Sequence, residues 1–183
     1  MISLRGFSMA SMVLLAIAPM LGPAVVSTPA SASDVLDAYT WVQGSRGSVP
    51  RGARAMGKDI DQAALYPCVA NASGNQYAGK LATTFKRCNI AVNGREVGRE
   101  DYEVPVEGRD GRFHWQSPRD QGFSWRRAVS IRSGGGFSHL CGAGHRGSWQ
   151  LGGTVDKDRK CRFSFGGGIV DEASFRVLMR GDK

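Results

Sequence analysis

The sequence repeats itself at an interval of 73 residues, and this repeat constrains the fold more than any other feature. Cys68 and Cys88 are 20 residues apart, and so are Cys141 and Cys161. A shift of 73 residues superposes both cysteine pairs without a gap and gives eight identities over positions 68 to 106, where average composition predicts about three. We therefore predict two copies of one unit, at residues 41–106 and 113–180, with a linker at 107–112. The other six identities are Ala70–Ala143, Gly74–Gly147, Gly79–Gly152, Gly94–Gly167, Val97–Val170 and Val104–Val177.

Residues 1–32 have the pattern of a secretory signal peptide. Arg5 precedes an apolar run, MVLLAIA, at residues 12–18, and small residues at 30–32 predict cleavage before Ser33 or, as a near-equal alternative, before Asp34. Proline and glycine at 19–23 interrupt the apolar stretch well short of the roughly 20 residues that a membrane-spanning helix needs. We therefore expect a secreted, periplasmic or otherwise extracytoplasmic chain, in which residues 33–40 form a short lead-in to the first copy.

The even number of cysteines predicts two disulfides in an exported chain. Because each copy contains two cysteines, the duplication favours a bridge within each copy, which stabilises by about 3 kcal/mol in the chain-entropy model. A zinc site is the alternative, since His139 and His145 lie beside the second cysteine pair. Zinc is rarer in oxidising compartments and the first copy has no nearby histidine, so we expect no metal and no cofactor. The predicted bridges are Cys68–Cys88 and Cys141–Cys161.

The glycine content and the local patterns predict an all-β fold. The chain has 25 glycines in 183 residues, about twice the usual ~7% share, which disfavours helices. Short alternating or β-branched segments lie between Gly, Asn and Asp clusters, so we predict a small β-sandwich-like fold with very low helix content. Only residues 34–42 could form a helical turn or two, and we expect the glycines at 74, 79, 94 and 98 in turns. The predicted strands are residues 65–70, 88–92, 102–106, 161–165 and 175–179.

The first copy carries an ordered set of motifs that resembles the DM-nine (DM9) repeat. The resemblance covers nearly all of residues 41–106 and extends more weakly through 113–180. It implies a β-rich fold of two intertwined repeats. We therefore expect residues 41–180 to form one globular domain. The motifs are WV at 41–42, GSVPRGA at 47–53, GKDIDQAALY at 57–66, AGK at 78–80, CNIAVNGRE at 88–96 and DYEVPV at 101–106.

The same resemblance implies a sugar-binding site. Some members of the family are mannose-binding lectins, often dimeric, which hold the sugar through the Asp of the GKDID segment and the Lys of the GK motif. By motif these are Asp59 and Lys80, with Asp61 as an acid that could substitute and Glu96 as a weaker supporting residue. A carboxylate and an ammonium group complement the hydroxyls of a sugar diol without calcium. The alternative is that Asp59 caps a turn while Lys80 is a solvated surface lysine.

The second copy departs from this pattern. Gly153 stands where the first copy has Lys80, Ile169 stands where it has Glu96, and no Asp or Glu occurs from residue 121 to 155. We therefore expect one competent glycan site per chain, with mannose-type glycans as partners, and a second copy that is structural or altered in specificity. Cross-linking of glycans would then require a homodimer or a larger assembly.

The basic surface offers a competing hypothesis. The chain has 24 Lys and Arg against 16 Asp and Glu, and residues 109–127 interleave arginines with aromatic residues. Such a segment suits an anionic polysaccharide or a lipid headgroup, whereas export argues against a specific nucleic acid. The aromatic residues could instead pack into the core. A non-catalytic structural or envelope-associated domain is the remaining alternative, and we expect no enzyme, because no nucleophile or metal-ligand motif is present.

Overall fold

The computed structural model describes residues 39–109, 111–155 and 159–181. These residues form fourteen strands and one 3-10 turn, η1 (Trp125–Arg127), which confirms the all-β prediction. The predicted signal peptide lies outside the described residues, as do residues 33–38 of the lead-in. The strands are β1 (Tyr39–Ser45), β2 (Gly57–Lys58), β3 (Ala64–Ala72), β4 (Asn75–Leu81), β5 (Cys88–Val92), β6 (Arg95–Arg99), β7 (Asp101–Glu107), β8 (Phe113–Gln116), β9 (Ser130–Ser133), β10 (Gly136–His145), β11 (Ser148–Val155), β12 (Lys160–Phe165), β13 (Gly168–Glu172) and β14 (Arg176–Arg180).

The strands form two six-stranded antiparallel arrays with the same order. The first array runs β1-β7-β3-β4-β5-β6, and the second runs β8-β14-β10-β11-β12-β13. Strand β2 pairs with β3 of its own copy and with β11 of the other copy. The two arrays are therefore joined through β2 into one hydrogen-bonded network. The predicted β-sandwich would instead consist of two sheets without hydrogen bonds between them.

Strand register reproduces the 73-residue shift seen in the sequence. Cys68 lies opposite Gly79 in the first array, and Cys141 lies opposite Gly152 in the second. Each cysteine pair forms its own disulfide, with Cα–Cα distances of 6.0 Å for Cys68–Cys88 and 5.8 Å for Cys141–Cys161. Both predicted bridges are confirmed, so none of these four cysteines is available to zinc.

Two-residue turns close the corresponding hairpins of both copies. The Ser73–Gly74 turn has φ values of 49° and 77°, and its counterpart Arg146–Gly147 has 48° and 77°. Positive φ at both central residues is the geometry of the type I′ turn, which matches the twist of the flanking strands. The predicted turn role is thus confirmed for Gly74, and Gly94 has the same role with φ of 81°.

The turn prediction is wrong for Gly79 and Gly98, which lie inside β4 and β6. A Cβ on Gly79 would lie within 3.0 Å of the Asn89 carbonyl oxygen and 2.8 Å from Ile90 Cγ2. Gly152, the counterpart of Gly79, has the same relation to the Arg162 carbonyl oxygen. Glycine is required at positions 79 and 152 because two backbones approach closely there, and not because the chain turns. At Gly98 the Arg87 side chain occupies the space that a Cβ would need.

The hydrophobic core is shared by the two copies. One buried cluster joins Val69 and Ala78 of the first copy to Leu140 and Leu178 of the second. Tyr39 packs on the same cluster from β1, so the helical turn expected near residues 34–42 is wrong from Tyr39 onward. Within the described residues, no helix is long and apolar enough to cross a membrane.

Candidate functional site

Lys80 is a buried residue on strand β4. Only 3% of its surface is exposed, so the alternative of a solvated surface lysine is wrong. Its Nζ donates a hydrogen bond to Gln150 Oε1 at 2.5 Å and lies 5.3 Å from the centroid of the Phe165 ring. Both partners come from the second copy, so the lysine that the first copy supplies points into the junction between the copies.

Asp59 follows β2 and lies at the edge of the same junction. Its Oδ1 accepts hydrogen bonds from the Ile60 backbone N–H at 2.9 Å and from Gln150 Nε2 at 3.0 Å. Its backbone carbonyl accepts a hydrogen bond from the N–H of Gln62, which closes the turn. Asp59 therefore stabilises the turn, as one alternative expected, and also joins the group of polar residues around Lys80.

The Gln150 carboxamide connects the two sequence-predicted residues. It is fully buried on β11, accepts from Lys80 through its oxygen and donates to Asp59 through its nitrogen. The nitrogen also donates to Ser148 Oγ at 2.9 Å, and Ser148 donates to the His145 carbonyl. The structure thus brings Asp59 and Lys80 together through a residue of the other copy.

Glu96 contacts the second copy at this junction, whereas Asp61 does not hydrogen-bond to the polar residues described above. Glu96 Oε2 accepts a hydrogen bond from the Gly167 backbone N–H at 2.9 Å, which fixes its carboxylate against the second copy. Asp61 is exposed, and its Oδ1 accepts from the Ala63 backbone N–H at 2.9 Å. Asp61 makes no hydrogen bond to Lys80 or Gln150 among the described residues, whereas Glu96 acts on Lys80 through its charge.

Opposing effects set the protonation of the lysine. Burial lowers the pKa of the Lys80 amine, while the negative charges of Asp59 and Glu96 raise it and only partly compensate. A buried ammonium is stabilised when opposite charges and hydrogen-bond acceptors surround it. The site therefore offers N–H donors from one cation beside the acceptor oxygens of two carboxylates.

An aromatic wall from the second copy borders the lysine. The Phe165 ring lies under Lys80, and the Arg146 guanidinium lies 5.8 Å from the same ring centroid. The His145 ring packs edge-on against Phe165 at 4.7 Å and hydrogen-bonds Glu172 at 3.1 Å. We define the Lys80 site as Asp59, Lys80, Glu96, Ser148, Gln150 and Phe165.

Three of these six residues were not predicted from the sequence. Ser148, Gln150 and Phe165 belong to the second copy, whose lack of acidic residues argued against a binding role. The resemblance implied intertwined repeats, and this was the available signal that the second copy would reach the site. It did not indicate which residues would do so, because the contact depends on strand packing between the arrays.

The equivalent positions of the second copy carry different chemistry. The 73-residue shift places Gly153 at the position of Lys80, Arg132 at that of Asp59 and Ile169 at that of Glu96. Conversely, the first-copy position that corresponds to Gln150 is occupied by Tyr77. The equivalent positions of the second copy therefore lack both the ammonium and the two carboxylates of the Lys80 site.

Most aromatic residues of the arginine-rich segment pack into the protein core, although the Phe123 and Trp125 rings contact each other with centroids 4.8 Å apart. Phe113 is buried in the shared core, and Trp115 packs on that core while its indole donates to the Met56 carbonyl at 3.0 Å. Phe123 packs against the cluster formed by Ala128, Val177 and Met179, whereas Trp125 is exposed. Core packing therefore explains most aromatic residues of the segment. Across residues 39–109, 111–155 and 159–181, no group of three or more His, Cys, Asp or Glu side chains is arranged to hold a metal ion.

Comparison with known proteins supports the family resemblance. Residues 27–98 match the DM9 repeat family, which confirms the resemblance predicted from the sequence for this part of the chain. Among solved structures, the nematode sperm cell motility protein MFP2B is similar in fold, with a TM-score of 0.59 and 19% sequence identity. The match covers 79% of this chain and 45% of the MFP2B chain, so this chain spans less than half of that protein. No curated protein sequence matches the chain.

Proposed function

We propose that this DM9-repeat protein is a calcium-independent glycan-binding protein that recognises mannose-type or related sugars at the Lys80 site. The observation that carries the proposal is the chain of hydrogen bonds from Lys80 through Gln150 to Asp59. It places an ammonium and a carboxylate on either side of one small neutral polar group, at the two positions that the family resemblance predicted for sugar contact.

The Gln150 carboxamide indicates what such a ligand must offer. It presents an acceptor oxygen to the ammonium and an N–H donor to the carboxylate. A vicinal sugar diol can present the same pair, because each hydroxyl both donates and accepts. In our proposal the diol takes the hydrogen-bonding positions of the Lys80 ammonium and the Asp59 carboxylate that Gln150 leaves unused, and charge-assisted hydrogen bonds hold it there. Phe165 then packs against the apolar face of the sugar ring.

The remaining parts of the proposal concern location and assembly. Two disulfides are typical of proteins in oxidising compartments, which supports a secreted or periplasmic location. The proposed activity is binding without catalysis. If this site alone binds sugar, agglutination of mannosylated particles requires a homodimer.

A matched pair of substitutions tests the site. Asp59 and Asp61 both accept a backbone N–H in the same turn, but Asp59 alone contacts Gln150. Asn at either position keeps an acceptor oxygen for the turn and removes the charge. We expect Asp59→Asn to weaken glycan binding by about 10-fold or more, since a hydrogen bond to a charged group contributes about 1.5–3 kcal/mol. Asp61→Asn should bind like the wild type.

Titration calorimetry and a glycan array of the mature protein provide the measurements. Circular dichroism of each variant reports whether the fold is retained. The proposal is wrong if the wild type binds no mannose-type glycan, or if Asp59→Asn and Asp61→Asn bind equally well.

A further inference from the structure

The second copy forms a cavity of about 380 Å³ at its junction with the first copy. The volume lies in the range of about 300–1,000 Å³ typical of small-molecule sites. We define the second-copy cavity by six lining residues that the two copies share equally. These residues are Gln76, Tyr77 and Asn93 of the first copy and Ser133, Phe137 and Gly153 of the second.

The position of this cavity follows from the duplication. Gly153 and Ile169 line it, and these residues correspond to Lys80 and Glu96 under the 73-residue shift. Tyr77 reaches it from the first copy, as Gln150 reaches the Lys80 site from the second. The fold thus contains two equivalent junctions, and the second has an open space where the charged residues of the first are replaced.

The residues that line the cavity determine the net charge of the ligand that it can bind. Arg162 is the charged residue among the described residues that line it, and its guanidinium makes two hydrogen bonds of 2.7 Å to the Asp171 carboxylate. This bidentate pair compensates the charge of the arginine. Among the described residues that line the cavity, no charge is left uncompensated for a charged ligand to pair with, which favours a neutral ligand.

Polar and aromatic groups converge on this neutral space. Phe137 is 58% exposed and lines the cavity, so its ring is accessible to a ligand. Tyr77 adds a second aromatic residue, while Gln76, Asn93 and Ser133 supply amide and hydroxyl groups. An aromatic surface beside uncharged donors and acceptors complements a pyranose ring, which has apolar C–H faces and a rim of hydroxyl groups.

The hairpin that carries Phe137 is held in place. Strands β9 and β10 pair from Gly136–Ser133 to His139–Ser130, and Phe137 lies within this ladder. Asn75 of the first copy accepts a hydrogen bond from the Gly134 backbone N–H at 3.0 Å, which fixes the hairpin turn against β4. A site built on paired strands needs little ordering when a ligand binds.

We propose that the second-copy cavity is a separate binding site for a neutral pyranose. Phe137 and Tyr77 contact the apolar face of the ring, and Gln76, Asn93 and Ser133 bind its hydroxyl groups. This proposal stands independently of the Lys80 site, because the two sites share none of these residues. It also replaces the expectation of one competent site per chain, since two different sites would make a monomer bivalent.

A titration by two-dimensional ¹H–¹⁵N NMR tests the proposal on the mature, disulfide-bonded chain. The probes are the methyl pyranosides of mannose, glucose and galactose, each added separately to saturation. We expect at least one to shift the backbone amides of Asn93, Gly94 and Gly153. Phe137→Ala should weaken that interaction by about fivefold or more, whereas Trp125→Ala, which removes another exposed aromatic side chain outside the cavity, should leave it unchanged.

The outcomes separate this proposal from the function assigned to the Lys80 site. Shifts at the cavity that persist in Asp59→Asn and are reduced in Phe137→Ala support the second site, whether or not the Lys80 site binds. The proposal is overturned if none of the three sugars shifts the cavity amides, or if Phe137→Ala binds as tightly as the wild type. Loss of the cavity shifts in Asp59→Asn would likewise overturn it, because binding would then depend on the Lys80 site.

Discussion

Replacement of Gly79 by alanine tests the inference that close backbone approach explains this glycine. The new Cβ would lie within 3.0 Å of the Asn89 carbonyl oxygen and 2.8 Å from Ile90 Cγ2. Ile90 is fully buried and pairs directly with Gly79, while Cys68, on the other side of Gly79, is disulfide-bonded to Cys88. Strands β4 and β5 therefore have little freedom to separate.

The expected loss of stability follows from this confinement. An extra methyl group in a well-packed interior costs about 1–3 kcal/mol through displaced side chains and backbone shifts. The lower entropy of the unfolded alanine variant returns about 0.4–1 kcal/mol of that loss. We expect Gly79→Ala to lower the free energy of unfolding by about 1–2 kcal/mol, and Gly152→Ala, which meets the Arg162 carbonyl, to behave similarly.

Gly144→Ala provides the matched control. Gly144 lies in strand β10, and a Cβ there would meet nothing within 4 Å. We expect no loss of stability and a gain of up to about 1 kcal/mol. Urea unfolding with the disulfides intact, followed by tryptophan fluorescence, measures all three variants. Equal midpoints for Gly79→Ala and Gly144→Ala would refute the explanation by close approach.

Three other predictions concern charges and bridges. Burial raises the pKa of Glu107, but hydrogen bonds from a backbone N–H and from Arg54 outweigh burial and hold the pKa below its ordinary value of 4.5. The stability that this lowered pKa provides is present above pH 4.5 and is lost as pH falls through the folded-state pKa of Glu107. Glu107→Gln should therefore lower the free energy of unfolding at pH 7 by about 1–3 kcal/mol. In urea titrations at a series of pH values, the free energy of unfolding of this variant should depend less on acid pH. The proposed glycan binding through the Lys80 ammonium should weaken as pH rises through the pKa of Lys80, which lies below 10.5. Constant affinity by calorimetry from pH 7 to 10.5 would contradict this role. Replacement of Cys68 and Cys88 together by alanine should cost about 2–5 kcal/mol, measured by urea unfolding, and an unchanged midpoint would contradict the stabilising role of that bridge.

Local and periodic features could be predicted from the sequence. The repeat fixed which positions correspond, and the register of Cys68 with Gly79 and of Cys141 with Gly152 follows it. Strand Cys88–Val92 has the bounds that its pattern predicted. These features depend on residues that are near in sequence or related by one shift, so the chain alone carries the information.

The glycines show where local reasoning stops. Gly74 and Gly79 look alike in the sequence, yet Gly74 has a positive φ in a turn while Gly79 lies opposite a neighbouring backbone. A turn is encoded within a few residues, whereas a close approach depends on which strand lies alongside. The neighbouring strand β5 is known only once the sheet is assembled.

The sequence by itself determined the duplicated all-β fold and the two disulfides, while Asp59 and Lys80 were expected as a pair only from the family resemblance. The tertiary structure decided that Lys80 is buried and that Gln150 connects it to Asp59. It also decided that the altered junction of the second copy forms an open cavity. The physical reason is that each site forms where one array packs on the other, so its composition depends on contacts between residues about 70 to 90 positions apart.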